Sequence, residues 1–97
     1  MQVIWLPRAE ANLLQIVEHI AEDNVDAAIA LAKLIRARAG QLSEPPTLFR
    51  KGRVRGTREM VVHPNYLVVY RVHAKGKRVE ILRVLHAARQ WPPSSRA

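Results

Sequence analysis

The spacing of apolar residues changes once along the chain. In the first half Ala9, Leu13, Ile16, Val17 and Ile20 recur at helical steps, with Glu10, Asn12, Gln15, Glu18 and His19 mainly on the other side. That stripe predicts an amphipathic helix over about 7–21. Pro7 suits its first turn, where the missing N–H has no partner to lose. Ala28, Leu31, Ile35, Arg38 or Ala39, and Leu42 repeat the stripe, with Lys33 and Arg36 facing out, and predict a second helix over about 25–41. Asn24 stands before it as a cap, Gly40 lies near its end, and Pro45-Pro46 prevents its continuation. So short a link between helices makes an antiparallel hairpin.

Further on the period falls to two. Arg58 to His63, Tyr66 to His73 and Arg78 to His86 read as strands, separated by turns at Pro64-Asn65 and Ala74-Lys75-Gly76-Lys77. Met1 to Trp5 is a shorter β-like run, and 43–56 reads as irregular. The order is β-α-α-β-β-β, an α+β class with the helix hairpin packed on a small antiparallel sheet. Leu13, Ile16, Leu31 and Ile35 are the expected contacts. The other sheet face, or its rim, is left for function. One domain over 1–92 is expected, followed by an extended tail over 93–97.

Composition narrows the class. A chain of 97 residues with 48% apolar content fits one domain and excludes a disordered chain. With no cysteine there is neither a disulfide nor thiolate chemistry, which fits the cytoplasm. No apolar run approaches the ~20 residues of a membrane span. The segment Met1-Gln2-Val3-Ile4-Trp5-Leu6-Pro7 lacks the basic start and long apolar run of a secretory leader.

Charge sharpens the picture. Residues 1–49 hold four Lys/Arg against six acids, a net charge of −2; residues 50–97 hold twelve against only Glu59 and Glu80, a net charge of +10. Such segregation suits a negative partner, and binding to phosphates would be salt-dependent.

Few catalytic arrangements survive inspection. His19, His63, His73 and His86 are scattered, without metal-binding spacing. Serine occurs only at 43, 94 and 95, which argues against a Ser-His-Asp site. Gly52 and Gly56 do not make a glycine-rich phosphate loop. What remains is basic. Arg53 and Arg55, extended by Arg50 and Lys51, form a flexible rim. Arg58, Arg71 and Arg83 lie within strands, where pairs with Glu59 or Glu80 are the plain alternative to a functional role. His86 closes the last strand, with Arg89 beyond it. A histidine there would serve as general acid or base near neutral pH, or simply hydrogen-bond the chain. Tyr66 and Tyr70 share a face by period two, and Trp91 would seal the sheet edge or the hairpin.

Two segments, Gly56-Thr57-Arg58-Glu59-Met60-Val61-Val62-His63-Pro64-Asn65-Tyr66 and Arg83-Val84-Leu85-His86-Ala87-Ala88-Arg89-Gln90-Trp91-Pro92, resemble the RelE/ParE superfamily of bacterial toxins, the second the ParE branch most. The resemblance runs from Trp5 to Pro92. It implies a type II toxin–antitoxin module and a cognate antitoxin whose tail wraps the toxin. RelE-like members cut mRNA on the ribosome with basic residues on the sheet; ParE-like members poison DNA gyrase. The RelE pattern carries an arginine after the tyrosine that opens the middle strand, and this chain has Leu67 there. Ala87 and Ala88 interrupt the basic C-terminal run, and Trp91 stands near the place of its closing tyrosine or histidine. The resemblance therefore favours a ParE-like toxin contacting its target through Arg53, Arg55, Arg83, His86, Arg89 and Trp91. The alternative is a ribosome-dependent nuclease using Arg58, Arg83, His86 and Arg89. A third reading is a binding module that has lost toxicity. None calls for a metal or cofactor.

Overall fold

Both helices form where the apolar stripe places them. The computed structural model describes residues 1–43, 50–73 and 75–87, with the backbone alone at Arg50. Strand β1 (Gln2–Trp5) leads into α1 (Pro7–Ala21), and α2 (Val25–Gly40) is followed by a 3₁₀ turn over Gln41–Ser43. The Leu6 carbonyl accepts from Ala9 and Glu10 and so starts α1. Asn24 caps α2 as expected, its side-chain oxygen accepting from the Ala27 amide at 2.9 Å. Arg36 of α2 reaches Glu10 of α1 at 2.6 Å and lies over the Trp5 ring. Both partners of that ion pair are about half exposed, so it orients the hairpin more than it stabilises it.

The C-terminal half supplies β2 (Arg50–Lys51), β3 (Arg58–His63), β4 (Tyr66–His73) and β5 (Arg78–His86). The sheet has five strands in the order β1-β5-β4-β3-β2. Two features depart from the expectation. The sheet is mixed, because β1 lies parallel to β5, with Gln2 opposite Arg78 and Trp5 opposite Ile81. Tight turns force β3, β4 and β5 to alternate, but β1 is separated from its partner by the whole hairpin, and a long crossover permits parallel pairing. The segment read as irregular also contains β2, whose Arg50 and Lys51 pair with Glu59 and Arg58.

The helices cover one face. Leu13, Leu31, Ile35 and Leu42 pack on Met60, Val62, Val68, Tyr70, Val79, Ile81 and Val84. Of the four expected helix contacts, Ile16 is only partly buried. Tyr66 and Tyr70 both face this core, and Tyr70 is completely enclosed. On the opposite face alternation places Glu59 and Val61 of β3, Leu67 and Val69 of β4, and Arg83 and Leu85 of β5. The centre of that face is closed: Leu67 and Val69 are buried while Val61 is exposed. What remains open is the rim, at the two ends of β4.

Candidate functional site: the two ends of the central strand

At one end of β4 the chain makes a tight basic turn between β2 and β3. The Gly52 amide donates to the Thr57 carbonyl at 2.8 Å, and the Thr57 amide and hydroxyl both donate to the Val54 carbonyl. Gly56 adopts φ +82°, a region that costs a residue with a side chain about 1–2 kcal/mol. A Cβ at position 52 would collide with the Thr57 hydroxyl, so this glycine lets the two arms of the turn close. Glu59, its side chain 1% exposed, accepts from the Arg53 amide at 3.0 Å and lies 3.8 Å from the Arg53 guanidinium. The turn was expected to be a flexible rim; these bonds brace it. Lys51, Gly52, Arg55, Gly56, Thr57, Arg58 and Val72 enclose a hollow of about 450 Å³.

At the other end lies a smaller cleft of about 230 Å³, lined by Asn12, Gln15, Ile16 and His19 of α1 and by Tyr66, Val84, Leu85 and His86 of the sheet. The Tyr66 ring stands between His63, 5.8 Å away, and His86, 5.2 Å away and edge-on. His63 Nδ1 accepts from the Asn65 amide, and the Asn65 carbonyl accepts from the Ala87 amide at 2.7 Å. Asn12 Oδ1 accepts from the Val84 amide at 3.2 Å and ties α1 to β5. Two histidines that look scattered in sequence thus flank one tyrosine, and His19 lines the same cleft. The signal was present: pairing of Tyr66 with His86 follows from the β4–β5 turn, and His63 lies three residues before Tyr66. The contribution of His19 from α1 had no such signal. Among the described residues no group of three or more His, Asp or Glu side chains is arranged to hold a metal ion.

His73 is elsewhere, hydrogen-bonded to Glu80 at 2.8 Å, with Arg78 at 3.4 Å. The His73 hydrogen bond, with the charges of His73 and Arg78 behind it, holds the Glu80 carboxyl below its usual range despite partial burial. The expected partners of the two carboxylates were strand arginines at 58, 71 or 83. Arg53 lies against Glu59, and His73 with Arg78 against Glu80, partners that strand pairing alone did not bring forward.

The sequence-derived site residues do not form one cluster. Arg53 and Arg55 belong to the turn. Arg58 pairs with Tyr70 on the helix-facing side, where burial pushes the Tyr70 phenol up and the Arg58 charge partly offsets it. Arg83 pairs with Val69 on the far face, where burial and then the charge of Arg8 disfavour its cation. His86 belongs to the cleft. Arg89 and Trp91 lie outside the described residues. Thr57 in the turn, and Asn12 and Gln15 in the cleft, were not singled out as site residues by the sequence pattern.

A helix hairpin over a small mixed sheet with a basic C-terminal half is the architecture of a class of bacterial toxins. The chain superimposes on one from a chromosomal ParDE toxin–antitoxin system of P. aeruginosa with a TM-score of 0.79 and 23% identity, covering 89% of this chain and 95% of that one. Against the toxin–antitoxin complex RelBE2 from Mycobacterium tuberculosis the TM-score is 0.57 at 26% identity, over 91% and 92% of the two chains. Sequence relatives agree: Y4kP of Sinorhizobium fredii, named as a toxin, is 37% identical over 94% of this chain and 93% of its own length. Toxin RelE2 of Caulobacter vibrioides is 39% identical over 91% and 97%. Residues 3–91 match the family described as ParE toxin of the type II toxin–antitoxin system parDE, and the chain belongs to that family.

Proposed function

We propose that this toxin inhibits growth by binding its target, DNA gyrase, in the cytoplasm, and that a cognate antitoxin neutralises it. The observation that carries this reading is the dispersal of the candidate acid–base and cationic groups among the described residues, Arg58, Arg83 and His86. A ribonuclease needs a general acid or base and a charge-stabilising cation within reach of one phosphodiester. Arg58 and His86 pair with Tyr70 and Tyr66, four residues apart on β4 and on its opposite sides. That is ~13 Å along the strand before the width of the sheet is added. Arg83 faces away from both. Such an arrangement suits a broad contact surface better than a reaction centre. The match to the ParDE chain at a TM-score of 0.79, against 0.57 for the RelBE2 complex, supports the same side. Both of those neighbours come from toxin–antitoxin pairs, which supports an antitoxin as partner here.

A second reading, a ribosome-dependent mRNA endonuclease, is favoured by the 39% identity to Toxin RelE2. The two separate in vitro. Purified toxin is expected to block supercoiling by gyrase and to leave a cell-free translation reaction running. Loss of translation with cleaved message and unaffected gyrase would replace the first reading with the second.

A further inference from the structure

We propose that the β2–β3 turn is a phosphate-binding site, shaped for the phosphodiester backbone of a nucleic acid. The inference goes beyond the target reading above and does not depend on it. Residues 50–58 read Arg-Lys-Gly-Arg-Val-Arg-Gly-Thr-Arg, five cations in nine positions without an acid. The fold does not leave them strung along a loop. Closure of the turn by the Gly52–Thr57 and Thr57–Val54 bonds brings Lys51, Arg55 and Arg58 around a single hollow of about 450 Å³. That volume lies within the range of small-ligand sites, so it admits a phosphate together with the sugar that carries it.

The carboxylate that follows Arg58 in the sequence is directed elsewhere. Glu59 is buried on the opposite side of the sheet and committed to the Arg53 amide and guanidinium, so its charge is turned from the hollow. Arg53 is thereby the brace, while Lys51 and Arg55, both exposed, are the cations available at the mouth. A guanidinium fork and a flexible ammonium are complementary phosphate ligands, the first bidentate and directional, the second a mobile point charge. The contact is with backbone phosphate, so it carries no base preference and adds to affinity in a salt-dependent way. Val72 of β4, Gly52 and Gly56 also line the hollow.

The test is a titration of the full-length ¹⁵N-labelled toxin, followed by amide resonances, with inorganic pyrophosphate, a mixed-sequence duplex, a mixed-sequence single strand and polyglutamate. Shifts at Gly52, Gly56 and Thr57 are expected with the phosphate-bearing probes and not with polyglutamate. An oligonucleotide binding at least about tenfold more tightly than pyrophosphate identifies the nucleic-acid backbone as the source; equal affinity identifies a free phosphate or nucleotide. The double variant Lys51→Ala/Arg55→Ala should reduce the slope of log Kd against log salt by about two, one for each lost phosphate contact. Arg8→Ala/Lys33→Ala removes the same charge from the helical half and should not. Lack of shifts at the turn, equal response to polyglutamate, or equal loss in the two double variants would each overturn the proposal. Because both substituted side chains are exposed, the core is spared, and the titration of the unsubstituted protein stands without them. Target inhibition is measured separately, so gyrase or ribosome results leave this outcome untouched.

Discussion

Burying a carboxylate costs free energy unless its oxygens find donors, and Glu59 finds them on the turn it braces. Replacing it by alanine leaves the Arg53 amide without its acceptor. Glu59→Ala should cost about 1–3 kcal/mol in urea denaturation, and resonances from 52 to 57 should broaden before those of the helices. Glu80 makes a pH prediction. Its folded-state carboxyl lies below the ordinary value of 4.5, so its stabilising share is complete above that pH and is lost as pH falls through the lower folded value. Glu80→Gln should flatten that part of the acid limb of a stability–pH curve, and an unchanged limb would argue against the His73–Glu80 bond in solution. His86 tests mechanism. His86→Gln preserves hydrogen bonding without proton transfer near neutral pH, so a binding toxin should keep its growth inhibition at matched expression. A nuclease using this ring would lose about 10²–10⁴-fold in rate. At this scale the sequence identifies the titratable groups but not their neighbours. Glu59 and Arg53 are six residues apart across a turn whose closure depends on glycine geometry, which hydrophobic periodicity does not encode.

Helices carry their instructions locally, which is why α1, α2 and the Asn24 cap are readable from spacing alone. The three long strands are nearly as legible, since two short turns fix their pairing. Strand β1 shows where such reading stops: its residues announce an extended segment, while its direction is set by a partner far along the chain. Strand β2 is too short to show any period. Packing of the hairpin on the sheet has a simple test in Leu31, which sits 8% exposed in the core. Leu31→Ala should destabilise the protein by about 2–5 kcal/mol, read as a shift in denaturation midpoint at constant slope. A loss under about 0.5 kcal/mol would mean that the site collapses around the truncation. Ile16, half outside the core, should cost less on the same change. Periodicity gave both the same face; only the sheet's extent separates them.

For the whole molecule, charge segregation is legible from composition, whereas its distribution in space is not. The twelve cations of residues 50–97 look like one patch along the sequence. Of those the structure describes, the fold sends Lys51, Arg53 and Arg55 to the turn, Arg58 to the helix-facing side and Arg83 to the far face, along a strand whose ends at Val72 and Tyr66 are ~20 Å apart. A partner that covers the toxin must therefore be extended. Binding of the antitoxin should weaken as salt rises but level off, because exposed residues such as Leu14, Ile29 and Val61 offer apolar area that salt does not screen. Affinity that is flat from low to high salt, measured calorimetrically, would remove the electrostatic share. The parallel seam between β1 and β5 has one more consequence, for synthesis. Among the described residues β1 is paired only by β5, with Gln2 opposite Arg78. A polypeptide still growing on the ribosome must hold β1 unpaired until β5 emerges, a contact of high sequence separation that is slow to form. A chain interrupted before β5 therefore cannot complete this sheet, and the seam waits on the translation of everything between the two strands.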